Sequence, residues 1–258
     1  MAKAKRKAAK SRSAKAKTKR TKKTASRHQA DKSLHAVRFP NESKSYRTAR
    51  NRLLEAEIGL RREVERVAAL RRKLPLGGEI PIDYEFEEMD GDGATRRVRL
   101  SELFGDKDTL VIYSYMYSAS MEKPCPSCTS ILDALDGSDI HINQRVSLAV
   151  VAKSPIGRIE DFAQRRGWTE LRLLSSEGTT YNHDYQGENE EGSQRPALNV
   201  FVRRDDKVHH IFCTELMFAP TDKGQNPRHV DMIWPLWNMF DFTPNGRGGT
   251  WQPKLSYD

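Results

Sequence analysis

The sequence predicts an α/β fold, a central mixed sheet flanked by helices, and three observations carry that prediction. An apolar run, Thr109–Tyr117, reads as a buried strand and leads into a segment of helical spacing that opens at Cys125-Pro-Ser-Cys128. A second apolar run, Val146–Ala152, is again followed by a helical segment, so strand and helix alternate as they do in parallel units. Arg195-Pro196 then precedes two apolar runs, Ala197–Val202 and Val208–Cys213, separated by Arg203-Arg-Asp-Asp-Lys207, the pattern of an antiparallel hairpin.

Each element follows from local chemistry. Residues 1–33 are a low-complexity Lys/Ala/Ser/Thr segment that cannot bury enough apolar surface to offset the entropy of ordering, and they read as a disordered basic tail. Residues 34–76 read as a long amphipathic helix: Tyr46, Ala49, Leu53, Ala56, Leu60, Val64, Val67 and Leu70 recur at steps of three or four. Glu57 stands where it could pair with Arg61 on the next turn, and Pro75 with Gly77-Gly78 ends the run. The step from Leu60 to Val64 breaks a strict heptad, which favours a helix lying on its own domain over a two-chain coiled coil.

Residues 77–258 carry the α/β domain. Ile82–Phe86 and Arg97–Leu100 form an N-terminal hairpin around Asp90-Gly-Asp-Gly93, and Ser101-Glu-Leu-Phe104 is a short helical turn. In the cysteine helix Cys128, Ile131, Leu132 and Leu135 share one face, and Gly137 supplies a stop. Ser154-Pro155 reads as N-cap and first helical residue of a helix that runs to Arg166, buries Ile159, Phe162 and Ala163, and ends at Gly167. Leu171–Leu174 is a further strand, and His229–Phe240 is a helix broken at Pro235.

Charge is divided unevenly along the chain. Residues 1–27 hold thirteen Lys or Arg and no acid, leaving 31 basic against 35 acidic residues in the remainder. The net charge of +9 therefore belongs to the tail, and the body is mildly acidic. That excludes a basic nucleic-acid surface spread over the whole protein. The tail itself could hold nucleic acid or another polyanion through residues 1–27; without interleaved aromatics to stack on bases, such contact would be sequence-independent and lost with salt.

Three cysteines in 258 residues do not make a secreted disulfide scaffold. No run approaches the roughly 18 apolar residues of a membrane-spanning helix, and no apolar core follows the charged start as a secretory signal would require. The expectation is a cytoplasmic protein with no membrane partner; the sequence gives no oligomeric state.

The candidate site is the cysteine pair. A helix N-terminus carries partial positive charge and unpaired N–H groups, which favour a thiolate on Cys125. Cys128, one turn on, is placed to attack a mixed disulfide formed there. Lys123 could add to the field. No cofactor is expected. No metal is expected either, since one pair supplies half of a zinc site and Cys213, His209 and His210 would complete it only if the hairpin reached the helix start. Cys213 reads as a buried, inert thiol. Tyr113, Tyr115 and Tyr117 alternate and line one face of the sheet, and Trp234 and Trp237 read as packing.

Strand, cysteine helix, strand, helix, proline, hairpin and C-terminal helix is the order of the thioredoxin fold, and the chain resembles it. The leading hairpin and Arg99-Leu-Ser-Glu-Leu-Phe104 resemble the N-terminal extension of the peroxiredoxin branch. From about residue 34 onward the chain resembles a bacterial family of thioredoxin-like proteins of unknown function. The resemblance rests on Cys125-Pro-Ser-Cys-Thr-Ser-Ile-Leu-Asp133, Ala152-Lys-Ser-Pro155, Tyr181-Asn-His-Asp-Tyr185, Pro196-Ala-Leu-Asn-Val-Phe201, Pro227-Arg-His-Val-Asp231 and Asp241-Phe-Thr-Pro-Asn-Gly-Arg-Gly248.

The resemblance implies a nucleophilic role for Cys125 and a resolving role for Cys128. It implies also that Pro196 is a cis-proline facing Cys125 and that the backbone of Arg195 pairs with an extended substrate. The function expected is thiol–disulfide exchange on a disulfide-bearing protein or a small thiol. Reduction of a peroxide substrate is an alternative, although no Pro-x-x-x-Thr-x-x-Cys occurs before Cys128. The other alternative is a non-enzymatic binding module tethered by the tail.

Overall fold

The computed structural model describes residues 34–257, which divide after Arg72 into two units. The basic tail lies outside the described residues. In the first unit, helix α1 spans Lys44–Arg71. Ser43 caps it, its side chain accepting from the Tyr46 N–H at 3.1 Å. Glu57 pairs with Arg50 at 3.7 Å rather than with Arg61: seven residues is two turns, so both lie on one face.

The second unit is built on a seven-stranded mixed sheet of order β2-β1-β5-β4-β3-β6-β7. The N-terminal hairpin is β1 (Glu85–Met89) and β2 (Thr95–Arg99), closed by Gly93 at φ +80°, and it starts three residues later than the apolar pattern suggests. A 3₁₀ turn over Leu100–Phe104 follows. Strands β3 (Thr109–Ser114), β4 (Ser147–Ala152) and β5 (Leu173–Ser175) run parallel, with helices α2 (Pro126–Ile142) and α3 (Ile156–Arg166) in their crossovers. A single turn of helix, α4 (Tyr181–Asp184), leads toward β6 (Ala197–Arg204) and β7 (Lys207–Cys213). Their two-residue turn places Asp205 and Asp206 at φ +50° and +60°, the left-handed geometry that matches strand twist. The C-terminal part is a 3₁₀ turn over Asp231–Ile233 and helix α5 (Pro235–Asp241), with Pro235 in its first turn as the break requires. This is the thioredoxin-like arrangement, with the N-terminal hairpin added at one edge.

Alternation along β3 divides the core. Tyr113 joins Tyr115, Val150, the buried faces of α2 and α3, and Trp234 and Trp237 on one side of the sheet. Leu110 and Ile112 join Phe86, Leu103, Val151, Leu174 and Phe201 on the other. At the far edge β7 is covered by residues 77–80, with the Ile80 N–H donating to Val208 O and the His210 N–H to Gly78 O. A Cβ on Gly77 would stand 2.0 Å from the His210 carbonyl oxygen, so only glycine allows that approach.

Two helix ends differ from the sequence expectation. Helix α2 runs through Gly137 to Ile142. A mid-helix glycine costs about 1 kcal/mol relative to alanine, less than the intact backbone ladder and the packing of Leu135 and Ile142 return. Its actual stop is Asn143, whose amide donates to Asp139 and whose side-chain oxygen takes the Leu148 N–H. Helix α3 is capped by Pro155, not Ser154: the serine hydroxyl is buried without a partner, and the Pro155 carbonyl accepts from Arg158 and Ile159.

Candidate functional site

The site is assembled by the passage from β3 to α2. After Ser114 the chain continues the ladder for one more residue, the Tyr115 N–H donating to Val151 O at 2.8 Å. It then loops through residues 118–122. Arg158 of α3 fixes that loop: its guanidinium donates to the carbonyls of Ser118 (3.2 Å), Ala119 (3.1 Å), Met121 and Glu122 (3.0 Å), and stacks over the Tyr117 ring at 4.5 Å. Five donors in a rigid fork suit one arginine to gathering several carbonyls, which no other side chain does. The loop closes when the Cys125 N–H donates to Met116 O at 3.0 Å.

Cys125 is the N-cap of α2, extended at φ −62° and ψ 122°, with Pro126 beginning the helix. Its carbonyl accepts from the Thr129 N–H (3.0 Å) and from the Thr129 hydroxyl (2.9 Å), and that hydroxyl in turn meets the Tyr115 hydroxyl at 2.8 Å. The backbone around the first cysteine is therefore tied to β3 on one side and to its own helix on the other. Cys125 is half-buried, Cys128 is 1% exposed, and both are free thiols, as is Cys213.

The two thiols are electrostatically unlike. Cys125 is held down to about 6: the Cys128 side chain hydrogen-bonds its sulfur, and the N–H groups of Cys128 and Ser127 point at it, together outweighing the cost of partial burial. Those two N–H groups belong to the first turn of α2, where no carbonyl is available to them. Cys128 moves the opposite way, pushed well up by its hydrogen bond to Cys125 and by burial. A thiolate is the nucleophilic form of cysteine, so the pair sets a half-buried sulfur biased toward the thiolate beside an enclosed one biased toward the thiol. Lys123 is exposed and is not among the groups that act on Cys125.

The remaining expectations are met unevenly. Pro196 immediately precedes Ala197, which pairs with Ser114, so it stands at the end of β3 from which the cysteine loop departs. No cis peptide bond occurs among the described residues, so Pro196 follows a trans bond and the cis geometry is corrected. The Arg195 N–H donates to Gly187 O at 2.8 Å, so this donor is already engaged within the chain. The Arg195 side chain reaches Gln186 at 3.4 Å and stacks on Phe218 at 5.6 Å.

Cys213 ends β7, buried, with its thiol pushed up by burial and by Glu215. His209 and His210 turn ring nitrogens to Gly77 O (3.2 Å) and Asn199 Oδ1 (2.9 Å), and among the described residues no three His, Cys, Asp or Glu side chains gather as a metal site. Arg158, which holds the loop before Cys125, and Tyr113, which lies beside Cys128, were not singled out as functional by the sequence. An arginine on the polar stretch of a helix and a tyrosine inside an apolar strand carry no local signal of such a role.

A parallel β-α-β-α-β core continued by an antiparallel hairpin, with a cysteine pair opening the first helix, defines a thioredoxin-like protein. Residues 36–257 match the family model described as bacterial protein of unknown function (DUF899), and the chain belongs to that family. No curated protein matches it. Among solved structures it is similar to Plasmodium yoelii thioredoxin peroxidase I (18% identity, 70% of this chain and 100% of that one, TM-score 0.41). It is similar also to a reduced 2-Cys peroxiredoxin of Plasmodium vivax (17% identity, 62% and 93%, TM-score 0.42). A third is the Streptococcus pneumoniae lipoprotein thioredoxin Etrx1 (14% identity, 59% and 98%, TM-score 0.35). Among the described residues no helix is long and apolar enough to cross a membrane.

Proposed function

We propose that this chain is a thiol–disulfide oxidoreductase in which Cys125 is the nucleophile and Cys128 the resolving thiol. The observation that carries the reading is the placement of the pair: Cys125 half-buried at the N-cap of α2 and Cys128 enclosed one helical turn away, an arrangement that favours the thiolate on the first sulfur and the thiol on the second. The Cys125 thiolate attacks one sulfur of a substrate disulfide R–S–S–R′, forming Cys125–S–S–R and releasing R′S⁻. Cys128 then attacks the Cys125 sulfur; RSH departs with the Cys128 proton, and two electrons have passed from the pair to the substrate. An external dithiol restores the reduced pair. Substrates are disulfide-bearing proteins or small thiols, with Arg195 and Pro196 bordering the approach, and a reducing compartment such as the cytoplasm suits three free cysteines.

Cys128→Ser removes the resolving sulfur and should accumulate a mixed disulfide on Cys125, detected by mass after incubation with oxidised glutathione or a disulfide-bearing protein. If neither an adduct nor turnover of any disulfide or peroxide is seen, the enzymatic reading fails. A peroxide arm belongs in the assay because the same thiolate could attack an O–O bond. The tail supports a second, separable activity: thirteen cations without an acid over residues 1–27 favour salt-sensitive attachment to a polyanion. Deleting residues 1–30 should abolish that association and leave thiol chemistry intact; association that survives deletion disproves it.

A further inference from the structure

Tyr113 projects from β3 beneath α2 and is 0% exposed. Its hydroxyl has no hydrogen-bond partner of good geometry, although Tyr115, two residues on along the same face, spends its hydroxyl on Thr129. An unpaired buried hydroxyl is a net cost to folding, and phenylalanine would fill the same space without it. The polar group beside it is the Cys128 thiol, itself enclosed. The titratable side chains that interact with Cys128 are Cys125, the N-cap of α2, Tyr113 on β3 and Tyr115 just past the end of that strand. Burial, and then Cys128, push the Tyr113 phenol well above its ordinary range, so it keeps its proton and has it to donate.

We propose that Tyr113 is the hydrogen-bond donor reserved for the Cys128 sulfur, a positioning residue that stabilises negative charge there while the mixed disulfide is resolved. This rests on the dithiol reading. In the reduced protein the Cys128 thiol donates to the Cys125 thiolate. Once Cys125 is bonded to substrate that acceptor charge is gone, and Cys128 must give up its proton inside the buried cluster that also holds Ile131, Leu132 and Tyr115. The phenol is then, among the described residues, the side-chain hydroxyl that acts on that sulfur and has no prior partner. Tyr113 therefore acts on the second step of exchange and hardly on the first.

Ellman's reagent separates the two steps, because Cys125 attack releases one thionitrobenzoate and resolution by Cys128 releases the second. In the full chain, Tyr113→Phe should leave the first release within about twofold. It should slow the second by roughly tenfold near neutral pH and move its pH midpoint upward, as expected for loss of a hydrogen bond to a charged group. Replacing Tyr113 by 3-fluorotyrosine, a stronger donor of nearly the same shape, should move that midpoint downward. A Tyr113→Phe protein whose second release keeps the parent rate and pH profile overturns the role of Tyr113 and leaves the dithiol reading standing. A parent chain that never gives a second release overturns the dithiol reading, and this inference with it.

Discussion

Replacing Cys128 with alanine tests what holds the Cys125 thiolate. The largest influence on that sulfur is the hydrogen bond from the Cys128 side chain, followed, against the opposing cost of burial, by the N–H groups of Cys128 and Ser127. A hydrogen bond to a charged group is worth about 1.5–3 kcal/mol, and 1.36 kcal/mol corresponds to one pKa unit. Alanine removes the first influence and keeps the two backbone donors. The Cys125 midpoint should therefore rise from about 6 to roughly 7–8, stopping short of an unperturbed thiol. Serine at 128 keeps a donor and should hold the midpoint near that of the parent. The assay is the pH dependence of iodoacetamide alkylation at Cys125, followed by mass; Cys213, buried and pushed up, reacts outside that range. A midpoint that stays near 6 in Cys128→Ala would mean that the backbone alone holds the charge and that the Cys128 side chain does not.

Two further outcomes follow from groups on α2 and α3. Asp139 is buried on α2 with one carboxylate oxygen lacking a partner, and its carboxyl is raised from 3.8 to about 6, by burial first. The folded state thus binds the proton more tightly than the unfolded chain, so stability falls as pH rises from about 4 to 6. Asp139→Asn should stabilise by about 1–2 kcal/mol at pH values above that window and by almost nothing below it, measured by denaturant melts across pH; a gain independent of pH would contradict the assignment. Arg158→Ala should release the 118–122 carbonyls, so that hydrogen exchange of residues 118–125 accelerates by more than about tenfold while the exchange of β4 is unchanged. Unaltered exchange in that loop would show that Arg158 does not hold it.

Much of this architecture is legible in the sequence because local signals and tertiary packing agree. Thr109–Ser114 is apolar on both faces and is buried on both; Asp205-Asp206 tolerates the left-handed turn the hairpin needs; Pro235 starts a helix where it could not have continued one. The cysteine pair is legible for the same reason, since a strand followed by a helix start fixes where Cys125 must sit. What is not legible is set by contacts distant in sequence. Gly137 looks like a stop until packing of Leu135 and Ile142 carries the helix through it. Ser154 looks like a cap, yet its hydroxyl is enclosed without a partner and Pro155 takes the cap position. The peptide bond before Pro196 and the exposure of Lys123 depend on the surrounding loops. Tyr113 and Arg158 reach the site from residues 12 and 33 positions away from Cys125, and only the fold shows them there.

The most direct measurement is a redox equilibrium titration of the full chain against a dithiol/disulfide buffer, trapping free thiols with alkylating reagent and locating the bond by peptide mass. One two-electron transition is expected, fully reversible, in which Cys125 and Cys128 bond to each other while Cys213 remains a thiol. Two thiols that persist under strongly oxidising buffer, or a bond formed only through Cys213, would contradict it.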